Sequence, residues 1–146
     1  MTVTARRAVA APEPVRLSIL LWLTAIAAGA AEALVYLLLP EPPTLAQVGA
    51  RFAIYAVLTA LVLCLRTGRN AVRWVVAVLL GGFGTVSLMI EPASWLLAGG
   101  APTAFLAAAE VPTLIGAVLR VAHVVAVLTA LVLMFRPSAN AWFRRR

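Results

Sequence analysis

The chain contains no lysine and no aspartate. In 146 positions it has one cysteine, one histidine and five acidic residues, all of them glutamate. Each scarcity removes chemistry. With Cys64 alone, an internal disulfide and a cysteine-based zinc site are excluded. With His123 alone, a bis-histidine haem cannot form within one chain. No nucleotide loop, H-E-x-x-H, C-x-x-C or G-x-S-x-G is present. Ser18, Ser87, Ser94 and Ser138 have no base at a recognisable spacing. Gly81-Gly82-Phe83-Gly84 lies inside an apolar run, so it reads as helix packing or a kink and not as a phosphate cradle. No enzyme is expected, with no catalytic residue, no metal and no cofactor.

What the chain has in abundance is apolar surface. Apolar residues make up 64% and mean hydropathy is +1.03, against about 45–50% apolar in soluble domains. Such a chain cannot cover itself in water, and the excess must face lipid. Four apolar runs stand out, at about 17–39, 44–65, 74–90 and 113–135. A helix that crosses a bilayer needs roughly 20 residues. In hydrocarbon every backbone N–H and C=O must be paired within its segment, so these runs are helices. Prolines fall at their ends, where the missing N–H costs least. The expected fold is an all-α membrane protein with a single four-helix domain over 17–136. A short arm, 1–16, precedes it and a basic tail, 137–146, follows.

Net charge is +7, all of the positive charge being arginine. Ten of the twelve arginines lie in three clusters: Arg6, Arg7 and Arg16; Arg66, Arg69 and Arg73; Arg136, Arg144, Arg145 and Arg146. The other two connections carry none and hold Glu41, Glu91 and Glu110 instead. Arginine beside apolar spans marks the cytoplasmic side, which predicts a plasma-membrane protein with both ends in the cytoplasm. The basic balance does not point to nucleic acid, because the arginines line no single soluble face. A cleaved signal peptide ending near Ala28-Gly29-Ala30 is the rival reading of the first run, but the run continues to Leu39 and is longer than a signal needs. Cys64, between Leu63 and Leu65, reads as a small packing residue.

The second and fourth runs repeat each other. Glu41-Pro42-Pro43-Thr44-Leu45 matches Glu110-Val111-Pro112-Thr113-Leu114 at four of five positions, and Arg51 falls on Arg120. After a one-residue shift, 56–63 is identical to 126–133, and Asn70-Ala71 meets Asn140-Ala141. These matches predict two duplicated helical hairpins in parallel orientation, related by an axis along the membrane normal. The second copy carries extra residues between Glu91 and Ala109, expected as an interfacial loop or short helix with Trp95 and Phe105 at headgroup level. Small-residue stripes, such as Gly29-Ala33, Ala56-Ala60, Ala77-Gly81-Thr85 and Ala126-Ala130, predict where helices touch.

Three charges fall inside the spans. Glu32 is seven residues before Leu39, Arg51 seven after Thr44 and Arg120 seven after Thr113. At 1.5 Å per residue all three lie about 10 Å in from the same side. His123 shares a face with Arg120 and lies roughly 4.5 Å deeper. A charge facing lipid costs about 2.5–3.5 kcal/mol on insertion scales. Pairing relieves that cost, so a cluster of Glu32 with Arg51, Arg120 or both is expected, with His123 beside it. The alternative is that both arginines snorkel to lipid phosphates and Glu32 is neutral or locally hydrogen-bonded. A cluster would act as glue between helices, or bind an anion or relay a proton.

Arg69-Asn70-Ala71-Val72-Arg73-Trp74, and the segment from Phe135-Arg136-Pro137-Ser138 to Phe143, resemble small four-helix membrane proteins of actinobacteria. The resemblance implies a topology and supplies no active residues. The expected function is that of an accessory or scaffold subunit, partnered by the lipid bilayer and by other membrane proteins or further copies of itself. The alternative is a small oligomeric carrier or channel working at the Glu32, Arg51 and Arg120 level.

Overall fold

A computed structural model describes residues 10–144 of the chain. Arg6, Arg7, Arg145 and Arg146 lie outside the described residues. Among those described, every regular element is a helix. Helix α1 runs over Glu13–Val35 and tightens into a 3₁₀ turn at Tyr36–Leu38. Helix α2 covers Leu45–Leu63 and ends in a second 3₁₀ turn, Cys64–Thr67. The third rod has three parts: α3, Asn70–Val76; a π-helical stretch, Ala77–Gly84; and α4, Thr85–Leu97. Two short helices, α5 at Pro102–Ala108 and α7 at Pro137–Arg144, flank the last long one, α6 at Val111–Met134. Four helical segments, 13–38, 45–67, 70–97 and 111–134, are long and apolar enough to cross a membrane.

Local sequence explains the boundaries. Proline opens α1, α5 and α6 within the first two positions, where its fixed φ suits a helix start and no N–H is needed. Helix α2 opens on a capping box. Thr44 Oγ1 accepts from the Gln47 amide at 3.3 Å, and the Thr44 amide donates to Gln47 Oε1 at 2.8 Å. Two otherwise orphaned amides are thereby paired. Gly68, at φ +74°, takes the left-handed conformation that lets the chain reverse into α3.

The third rod departs from expectation. Glu91-Pro92 was expected to stop it near Ile90, yet α4 continues to Leu97 with Pro92 inside. Proline is tolerated in such helices when neighbouring turns adjust. The turn follows at Gly99, whose φ of +88° favours glycine, and where a loop or a short helix was expected the chain forms both an extension of the third rod and the short helix α5. The Gly81–Gly84 run is helix packing of an unusual kind. It lies in the π-helical stretch, and a Cβ on Gly81 would meet Leu131 of α6 at 2.9 Å.

Helix α1 packs along α6 and, less extensively, along α2, while the third rod rests against α6. Burial is uneven along the rods. The core includes Val15, Ile19, Trp22, Val62, Leu65, Val76, Leu80, Val127, Ala130 and Met134, sealed by Trp142 and Phe143 of α7. All of these lie toward the arginine-rich end. In the opposite halves α1 still buries Ala25, Ile26, Gly29, Glu32 and Ala33, but α6 buries Gly116 alone and neither α2 nor α4 buries any residue there. The bundle is therefore closed at one end and opens toward the other.

Two polar contacts secure the closed end. The Ser18 hydroxyl, fully buried on α1, donates to the Ala130 carbonyl of α6 at 2.9 Å. Arg73, only 6% exposed, donates to Asn140 Oδ1 at 2.6 Å. Its guanidinium stands 4.0 Å from the Phe135 ring centroid and 5.2 Å from that of Phe143. Asn140 in turn donates to the Phe135 carbonyl at 2.9 Å. Over its described residues, 137–144, the segment expected as a simple basic tail is thus a helix folded under the bundle. Cys64 is exposed, not packed, in the 3₁₀ turn.

Candidate functional site

The open half is where the in-span charges meet. Arg120, nine residues into α6, reaches across to α1, where Glu32 lies one turn before Tyr36. Arg120 Nη2 is 2.8 Å from Glu32 Oε1, and its Nε donates to the same oxygen at 3.0 Å. The Tyr36 hydroxyl donates to Glu32 Oε1 at 2.8 Å and accepts from Arg120 Nη2 at 3.1 Å. Arg120 Nη1 completes the set with Glu91 Oε2 of α4 at 3.1 Å. One guanidinium thus ties three elements together through charge-assisted bonds.

Burial grades outward across the network. The Glu32 side chain is 6% exposed, that of Arg120 18% and that of Glu91 81%. Glu32 and Arg120 form the inner, shielded pair. Glu91 stands at the rim with most of its carboxylate free. The three groups carry a formal charge of minus one.

Glycine makes the close approach possible. A Cβ on Gly116 would meet Tyr36 Cε1 at 2.7 Å, so only glycine lets the ring pass α6 at that level. One turn before Glu32 on the same face of α1, Gly29 faces both Tyr55 of α2 and His123 of α6. A Cβ there would meet the Tyr55 hydroxyl at 3.2 Å and His123 Nδ1 at 3.3 Å. The Tyr55 hydroxyl donates to the Gly29 carbonyl at 3.2 Å. His123 is half-buried, and its Nδ1 is buried with no hydrogen-bond partner among the described residues.

Of the residues singled out from the sequence, Glu32 and Arg120 are brought into contact and His123 packs beside the same stretch of α1. Arg51 is exposed and makes no ion pair or hydrogen bond among the described residues. Depth placed it with the others, and it lies one turn before Tyr55 on the face of α2 that meets α1, yet its side chain stays exposed and does not join the network. Two members of the network were missed. Tyr36 carried a readable signal, since a residue four positions after Glu32 lies on the same helix face. Glu91 carried none, because the proline after it reads as a helix end.

Beside the network lies a crevice of about 830 Å³ between α4, α5 and α6. Glu91, Arg120 and Tyr36 face it together with Trp95, Phe105 and a wall of Ala117, Val121, Val124 and Val125. Trp95 and Phe105 meet edge to face with centroids 5.9 Å apart. Among the described residues no group of His, Cys, Asp or Glu side chains is placed to hold a metal ion. No protein-family model, curated protein or solved structure matches the chain.

Proposed function

We propose that this chain is a multi-pass plasma-membrane protein with both ends in the cytoplasm, acting without chemistry of its own as an accessory or scaffold subunit of a larger membrane assembly. The observation that carries this reading is the outward face of α2. Gly49, Ala53, Ala56 and Ala60 are spaced four, three and four residues apart, so they form one stripe, and all four are exposed. Helices in lipid associate by close backbone approach over small residues. The equivalent stripe in the fourth span, Ala126 and Ala130, is already buried, which leaves the α2 face available to a partner helix. The Glu32–Arg120–Glu91 network fits the same reading as a clamp that holds α1, α4 and α6 in register. Orientation follows from the arginines, and the recurrence of 56–63 at 126–133 supports descent from one duplicated hairpin.

The test is to purify the chain from its native membranes in a mild detergent and weigh the complex by native mass spectrometry. A defined complex above monomer mass is expected, and Ala56→Leu with Ala60→Leu should release the monomer with its helix content unchanged. A monomer under the mildest extraction would overturn the reading.

The crevice beside the ion network favours a second reading, a small oligomeric carrier or channel using the Glu32 and Arg120 level. Proton or solute flux in liposomes tests it, with Glu32→Gln and Arg120→Ala as controls. Unchanged flux in both variants removes it.

A further inference from the structure

We propose that the crevice between α4, α5 and α6 is a binding site for lipophilic organic cations. Three observations carry the assignment, and none depends on the chain being a subunit or a carrier. The first is charge. Arg120 lines the crevice, but its guanidinium is engaged by Glu32 Oε1 and by Glu91 Oε2. An anion would have to displace a carboxylate to reach it. Glu91 is held through one oxygen at the rim and remains 81% exposed, so the surplus charge offered to a ligand is negative.

The second observation is the lining. Trp95, Phe105 and Tyr36 line the crevice together with Glu91 and the valines of α6. Aromatic faces attract cations through their quadrupole and tolerate apolar substituents around the charge. An ordinary hydrated inorganic cation gains little from such a wall. A bulky cation with an apolar skirt gains both from the aromatic rings and from leaving water.

The third is that the wall is built and not incidental. Trp95 lies over the backbone of the turn after α4, so closely that a Cβ on Gly100 would come within 2.3 Å of its ring. Gly99 takes a φ of +88° to make that turn, and α5 then delivers Phe105 to the indole. Glu91, Ser94, Trp95, Ala98 and Phe105 all come from the stretch between Glu91 and Ala109, which has no counterpart in the first hairpin of the sequence. The part of the chain that breaks the repeat is the part that makes the site.

The experiment uses the full-length chain in nanodiscs of zwitterionic lipid, with empty discs subtracted. Radiolabelled tetraphenylphosphonium and tetraphenylborate, equal in shape and opposite in charge, are titrated in separate samples by equilibrium dialysis. Saturable binding of the phosphonium at one per chain is expected, with none for the borate. Glu91→Gln should weaken phosphonium binding roughly tenfold, the loss expected when a charged partner becomes neutral. Gly100→Ala, which pushes Trp95 out of place, should weaken it severalfold. Glu110→Gln removes the same charge from an exposed position outside the crevice and should change nothing. Saturable borate binding of equal strength, no saturable phosphonium binding, or equal effects of Glu91→Gln and Glu110→Gln would each overturn the assignment.

Discussion

Glu32 would be among the most costly residues of the molecule if it stood alone, because its carboxylate is shielded from water by α1 and α6. Arg120 removes that cost, and the removal is mutual. Replacing Arg120 by Ala leaves a shielded carboxylate without its cation and should cost about 3–5 kcal/mol, as breaking one side of a buried pair does. Adding Glu32→Ala to Arg120→Ala should restore a large part of the loss, since the uncompensated charge disappears with it. Unfolding in mixed micelles measures both, and additive losses would show that the pair is not coupled. Gly116 acts on the same network through space alone. Gly116→Ala should displace the Tyr36 ring and destabilise the bundle by about 1–3 kcal/mol, the usual penalty for overpacking, whereas Gly49→Ala, with nothing within 4 Å of the new Cβ, should leave the monomer as stable or stabilise it by up to about 1 kcal/mol. The comparison isolates the close approach from the general effect of losing a glycine. At this scale the sequence was half legible. Depth could be counted along a span, which found Glu32 and Arg120, but whether a side chain closes on its neighbours could not, so Arg51 was grouped with residues it does not bond.

The third rod shows why whole elements are harder to read. Hydropathy located its start, but its far end was hidden because Pro92 carries the mark of a helix stop. The π-helical stretch at 77–84 was equally hidden, since its extra residue leaves no trace in composition. That stretch has a positional consequence. A π segment accommodates one more residue than the α-helix it interrupts, so it absorbs that residue without turning α4 and preserves the aim of Glu91. Deleting Gly82, exposed and free of contacts, should remove the extra residue and convert the stretch to α-helix with the rotation of α4 kept. The couplings between positions 91 and 120 and between 32 and 120 in double-mutant cycles should both survive. Loss of the 91–120 coupling would mean that the deletion turns α4 by about 100° and that the stretch holds no residue to spare. Helix α7 is an element the sequence offered only as charge. Arg73 was read as an orientation signal and proved to be the anchor on which α7 is hung. Asn140→Ala removes a hydrogen bond to a charged group, worth about 1.5–3 kcal/mol. It should therefore speed hydrogen exchange over 137–144 without altering exchange in the long helices, and uniform exchange rates would argue against that anchoring.

Across the whole molecule, the uneven distribution of packing follows from the two kinds of residue that mark the ends. Arginine lies mostly at the closed end, where aromatic rings and α7 hold Arg73, and the acids lie mostly at the open end. Four apolar rods were legible from composition because lipid leaves the chain no other way to pair its backbone. Their asymmetric packing was not, because matching hairpin sequences imply matching contacts, while α1 lies chiefly against α6 and α2 and α3 meet only sparsely. The arginine count also makes the orientation testable apart from any partner. In a Cys64→Ser background, single cysteines at Glu41, Thr103 and Ser138 report the two faces, since all three positions are exposed. A membrane-impermeant maleimide applied to intact cells should label the first two and spare the third, and permeabilisation should add the third at full yield. The reasoning is electrostatic, because arginine-rich connections resist translocation whereas glutamates contribute little. Replacing Arg66 and Arg69 by Gln, both exposed in the turn after α2, should introduce a minor population labelled at position 138 from outside. Arg73 is left in place, because its loss would release α7 and confuse folding with orientation.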